Sequence, residues 1–153
     1  MKHNMKQEDK DLLLTDLCAR LPYGVFCEGI TIDLDFDTDK YYDNKVEGVL
    51  SDIHRYKGIS YATIGLMNEC EVETIKPYLF PMSSMTEEQK KEYYHIVNYI
   101  SSDDTKTWME GEFIYVDTTQ FLRLINFYHR NHLDYRGLIN GGLAIDATGL
   151  NIY

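Results

Sequence analysis

Cysteine is scarce in this sequence, with Cys18, Cys27 and Cys70 scattered and never paired as CxxC. One reading is a reactive thiol or part of a metal site; the favoured one is three small buried hydrophobes in a reducing cytosol. Long apolar runs are missing too, and none approaches the roughly 20 residues of a membrane span. The opening stretch MKHNMKQEDKDLLL puts acids ahead of a short apolar patch, so it does not read as a secretory signal. A cytoplasmic protein without a membrane role is expected. Positive charge is the third shortage: 15 Lys and Arg stand against 25 Asp and Glu, for a net charge of −10. Phosphate-tracking proteins draw affinity from Lys and Arg that displace counterions, so generic nucleic-acid binding is disfavoured.

Catalytic grammar is also absent. Ser83-Ser84 lacks a nucleophile-elbow glycine pattern, and Gly141-Gly142 matches neither a phosphate loop nor a dinucleotide fingerprint. No catalytic residue and no cofactor are assigned. There is no internal repeat and no low-complexity linker. At 153 residues the expectation is one domain, β-rich over about 24–75, helical over about 86–132, with a packed tail at 133–153.

Proline occurs only three times, and two of the three frame the most legible stretch, IKPYLFPMSSMTEEQKKEYYHIVNYI. Pro77 and Pro81 push their predecessors out of the α region, so residues 76–80 are extended. Thr86 then caps a helix over 87–100, with Gln89 reaching back and Glu87 and Glu88 in the first turn. Tyr93, Ile96, Val97 and Ile100 form its apolar stripe. A first helix is expected over 9–21, with Leu14, Leu17, Cys18 and Leu21 on one face, stopped by Pro22-Tyr23-Gly24. A third, over 118–131, is capped by Asp117 with Gln120 three residues on, and buries Phe121, Leu124, Ile125, Tyr128 and His132.

Between the first two helices the period changes to two. Ile30, Ile32, Leu34 and Phe36 point one way, while Thr31, Asp33, Asp35 and Asp37 point the other as a solvent face. Residues 25–28 join this strand directly or across a bulge at Gly29. A polar turn is expected over 38–44, then strands over 46–56, 60–67 and 70–74, and a short β-prone piece at 113–116 after a loop over 101–111. The fold class is therefore α+β: a small antiparallel β-meander, able to curl into an SH3-like barrel, packed with about three helices. The tail should fold back because Leu133, Tyr135, Leu138, Ile139, Leu143, Ala144 and Ile145 are too apolar to leave in water. Residues 143–145 are its candidate edge strand.

Several constellations invite a ligand. The run Asp33, Asp35, Asp37, Asp39 resembles the start of a calcium loop, but Thr38 stands where the loop needs Gly and Asn44 where it needs a bidentate Glu. Calcium binding is not expected there. His129 and His132, three apart on a helix with Asp134 nearby, are metal candidates that lack a further ligand at readable spacing. Arg130, Asp134, Tyr135 and Arg136 could form a small polar site, against the alternative that they brace the turn. Tyrosine is used 13 times, and Tyr41-Tyr42 and Tyr93-Tyr94 suit either a contact surface or packing.

DLLLTDLCARLPYGV at 11–25, IKPYLFPMSSMTEEQKKEYY at 75–94 and INFYHRNHLDYRGLINGGLAIDA at 125–147 together resemble a family of small uncharacterised proteins of gut Bacteroides-type bacteria and their phages or prophages. The resemblance brings no activity, cofactor or site residue with it. What it implies is origin: an intracellular protein, accessory to a mobile element. The leading functional expectation is a non-enzymatic protein that binds another protein. Two alternatives are an enzyme or metal-dependent binder built on His129, His132, Asp134 and Arg136, and an acidic DNA mimic with carboxylates spaced like phosphates.

Overall fold

The computed structural model describes residues 5–97 and 118–153. The expectations for 98–100, 101–111 and 113–116 and for the Asp117 cap lie outside the described residues. Helix α1 spans Gln7–Arg20, with Glu8 and Asp9 in its first turn and Arg20 in its last, as the helix dipole favours. A single 3-10 turn at Leu21–Tyr23 carries Pro22, and Gly24 at φ 64° ends it. The buried face differs from expectation. Leu13, Asp16, Leu17 and Arg20 are covered, whereas Leu14 and Leu21 are half-buried and Cys18 is exposed. The stripe is turned by one residue because two charged side chains hold inward positions beside the leucines.

Six strands of the described residues form one open, mostly antiparallel sheet in the order β4-β3-β2-β1-β5-β6. They are β1 (Phe26–Asp35), β2 (Lys40–Tyr56), β3 (Ile59–Ile64), β4 (Asn68–Glu71), β5 (Lys76–Leu79) and β6 (Ile145–Asp146). The sheet does not close into a barrel, and the meander stops at β4, because β5 crosses back to pair with β1. The β1–β2 register runs unbroken from Phe26↔Val49 to Asp35↔Lys40, so Gly29 marks no bulge. A side chain at Gly29 would meet Ile64, Cys70 and Ile75 at 2.8–2.9 Å, so the glycine lets the strand approach its neighbours closely. The irregularity lies instead in β2, between Leu50 and Asp52. The polar turn is shorter than expected. Residues 36–39 make it, with Asp39 at φ 54°, and 40–45 continue as strand.

Helix α2 (Glu87–Val97) starts as its capping box dictates. The Gln89 amide donates to Thr86 Oγ1 at 3.2 Å, and the Thr86 amide donates to Gln89 Oε1 at 2.9 Å. Helix α3 (Thr118–Arg130) packs against it, burying Leu124, Phe127 and Tyr128, while Phe121 is half in water. Among the described residues no helix is long and apolar enough to cross a membrane.

Two apolar cores result. One joins Leu13 and Leu17 to Val25, Cys27, Leu50, Ile64, Ile75 and Leu79, with Leu138, Leu143 and Ala144 of the tail sealing it. The other holds Met85, Tyr93, Val97, Leu124, Phe127, Tyr128 and Leu133 between α2 and α3. The tail folds back as expected: β6 lies parallel to β5, and Phe80 bridges Leu133. Cys27 and Cys70 are buried, and burial pushes both thiols up, Cys70 to about 11.

Candidate functional site

The expected cluster after α3 is divided by the backbone turn that follows the helix. The Leu133 amide donates to Tyr128 O at 2.9 Å and the His132 amide to His129 O at 3.1 Å, the paired bonds of a Schellman end. His132 thereby takes the left-handed position at φ 53°, where glycine is usual. It is held there by stacking on Tyr153, with ring centroids 3.8 Å apart. Burial, then the Arg20 charge, pushes His132 down to about 4. His129 points elsewhere, its Nε2 2.9 Å from the Tyr135 hydroxyl, and is also pushed down by burial first. Asp134 receives the amides of Leu138 and Ile139 at 2.8 and 2.9 Å, so it caps the next turn. Arg130 pairs with Glu92 on the surface between α2 and α3.

Arg136 and Tyr135 join a different group, centred on the two charges turned inward from α1. Arg20 donates through Nε to Asp16 Oδ2 at 2.7 Å and through Nη2 to Leu133 O at 2.8 Å, and both side chains are fully buried. Arg136 Nε lies 3.2 Å from Asp16 Oδ1 and donates to the Tyr135 hydroxyl at 3.0 Å. The guanidinium groups of Arg20 and Arg136 lie 5.7 and 5.0 Å from the centre of the Tyr135 ring, which stacks on Tyr128. Among the described residues, Arg20 Nη1 and His132 Nδ1 have no hydrogen-bond partner. This network fastens α1 to the turn after α3 at the seam of the two cores. Sequence reading assigned Asp16 and Arg20 no role, yet their i,i+4 spacing, acid before base, is the order that pairs on a helix. Among the described residues, no group of three or more His, Cys, Asp or Glu side chains is placed to hold a metal ion.

The other unusual feature is the hairpin of β1 and β2. Strand β5 reaches β1 only at Cys27 and Glu28, and β3 reaches β2 only as far as Leu50. Beyond these points residues 30–35 and 40–45 pair, among the described residues, only with each other, as a projecting two-stranded ribbon. Val25, Cys27 and Gly29 face the core, so the ribbon's apolar row, of opposite parity, lies on the other face. Ile32 is 67% exposed, Phe36 90% and Tyr41 74%. The expectation that the apolar row is the inward one fails here, because no second layer lies over it among the described residues. Asp33 accepts from Asn44 Nδ2 at 2.8 Å across the pair. Asp35 shapes the turn, accepting from the Asp37 amide at 2.9 Å and the Thr38 hydroxyl at 2.7 Å, and these bonds hold its carboxyl below its usual range.

No protein-family model, no curated protein and no solved structure matches this chain.

Proposed function

We propose that this protein is a non-enzymatic, cytoplasmic accessory protein that binds another protein, and that the ribbon is its contact element. The observation that carries this is the exposure of Ile32, Phe36 and Tyr41 together on a projecting hairpin, with Tyr42 exposed on its other face. An apolar patch rimmed by charge is the ordinary signature of a docking surface, and large aromatic side chains are the residues that anchor one. A two-stranded ribbon is marginal by itself, so its ordering against a partner adds burial that the free chain lacks. The accessory role in a mobile element belongs to this proposal through the sequence resemblance alone.

The test is site-specific photo-crosslinking in cells that carry the protein naturally. A photoreactive residue at Phe36 should give a discrete adduct with a second protein, and one at Lys57, at the opposite end of β2, should not. The adduct should disappear when Ile32 and Tyr41 are changed to Ser. Equal adducts from both positions, or none from Phe36, would overturn the reading.

A further inference from the structure

The hydrogen-bonding pattern along β1 singles out one edge of the ribbon. Ile30 directs its N–H and C=O away from β2, to the Thr74 hydroxyl at 3.4 and 3.5 Å. In an antiparallel pair alternate residues face the same side, so Ile32 and Leu34 direct theirs to that side as well. Strand β5 begins only at Lys76 and pairs no further than Glu28, so among the described residues no strand meets these groups. The open edge runs into a surface groove of about 630 Å³ lined by the acids Glu28, Asp43 and Glu73 and the lysines Lys45 and Lys76, beside Met5 and Ile30. An added strand thus has a row of donors and acceptors and a channel in which to continue.

Charge selects the occupant. Along the open edge, β1 carries Asp33 and Asp35 and no Lys or Arg, and the turn adds Asp37 and Asp39. Lys45 stands opposite Ile30 and is paired with Glu28 at 2.7 Å, and Lys40 stands opposite Asp35. Ile32 and Leu34 lie on one face of β1 and the aspartates on the other. We infer that the ribbon captures an extended segment of a basic protein, added as a strand to the β1 edge at residues 31–35, with apolar and Lys or Arg side chains alternating. A second copy of this chain fits poorly, since it would set the same aspartates against each other on a protein of net charge −10. Nucleic acid carries the wrong sign. This inference rests on the proposed binding role of the ribbon and adds the class of partner and the mode of contact.

The test uses the full chain and a short peptide of alternating Lys and Val. In the free protein the Ile32 and Leu34 amides should exchange with solvent far faster than the Cys27 amide. Adding the peptide should protect them. Two controls isolate the backbone and the charge. Methylating every peptide amide removes its donors and should weaken binding roughly tenfold or more. Changing Asp33, Asp35 and Asp37 together to Asn should weaken it roughly three- to tenfold at low salt. Protection of Ile32 and Leu34 before any peptide is added would mean that the edge is already covered, and would overturn the inference. So would equal binding of the methylated peptide, or tighter binding of a Glu–Val peptide. If no peptide binds while the Phe36 adduct persists, strand addition fails and the docking role stands. If that adduct is also missing, both fall.

Discussion

From Phe26 to Gly29, strand β1 is covered on both faces: Cys27 and Gly29 meet Ile64, Cys70 and Ile75, and Tyr78 packs on Phe26 with ring centroids 5.6 Å apart. From Ile30 to Asp35 the same strand, paired with the same partner in unbroken register, carries Ile32 at 67% exposure. Backbone geometry is continuous between the two halves, so pairing alone does not decide burial. What differs is the reach of the neighbours. Strand β5 and the β3–β4 pair end where the ribbon begins, and the strand continues past the edge of the core.

The comparison predicts a steep gradient of sensitivity away from the core. The largest effect belongs to the buried network that holds α1. Replacing Arg20 with Met leaves Asp16 buried without its closest partner, and breaking such a pair costs about 3–5 kcal/mol. Urea denaturation should show this as a lowered midpoint. A shift below about 1 kcal/mol would mean that Arg136 alone neutralises Asp16, and the network would be weaker than its burial suggests.

Next comes acid sensitivity at the seam of the cores. Unfolded His132 takes a proton near its ordinary value of 6.5, but folded His132 does so only at about 4. The unfolded state therefore binds more protons in that window. The stability this group contributes is complete above pH 6.5 and falls away between pH 6.5 and 4, by up to about 3 kcal/mol. His132→Phe keeps an aromatic ring against Tyr153 and should flatten the pH dependence of the melting temperature over that interval. An unchanged slope would assign acid sensitivity to another group.

A smaller effect tests the base of the hairpin. Gly29→Ala places a methyl group against three side chains and should cost about 1–3 kcal/mol, read from the same urea curves. At the far end, Ile32→Ser with Phe36→Ser should change stability by no more than about 0.5 kcal/mol, as surface substitutions do. A large destabilisation by that pair would show that the ribbon is packed in solution, and the contrast between the two halves would vanish.

Local grammar was legible wherever neighbouring residues suffice to satisfy the backbone. The Thr86–Gln89 box starts α2 as read, Pro77 and Pro81 hold an extended stretch, and the apolar tail folds back. The face of α1 was misread because the hydrophobic stripe was sought among apolar residues alone, while Asp16 and Arg20 hold buried positions by neutralising each other. The polar site expected at Arg130, Asp134, Tyr135 and Arg136 was read from proximity in sequence. A Schellman end and an Asx-capped turn send Asp134 to the backbone and Arg130 to Glu92, leaving Tyr135 and Arg136 with α1.

By itself the sequence determined the α+β class, the three described helices, the period-two rhythm of β1 and the net charge of −10. Each of these depends on side-chain periodicity, capping or charge within a few residues. Tertiary structure alone decided which parity of β1 faces the core, that β5 returns to pair with β1, and that Asp16 meets Arg136 from the far end of the chain. Those outcomes depend on where other elements end, and strand periodicity is symmetric between its two faces until a second layer covers one of them.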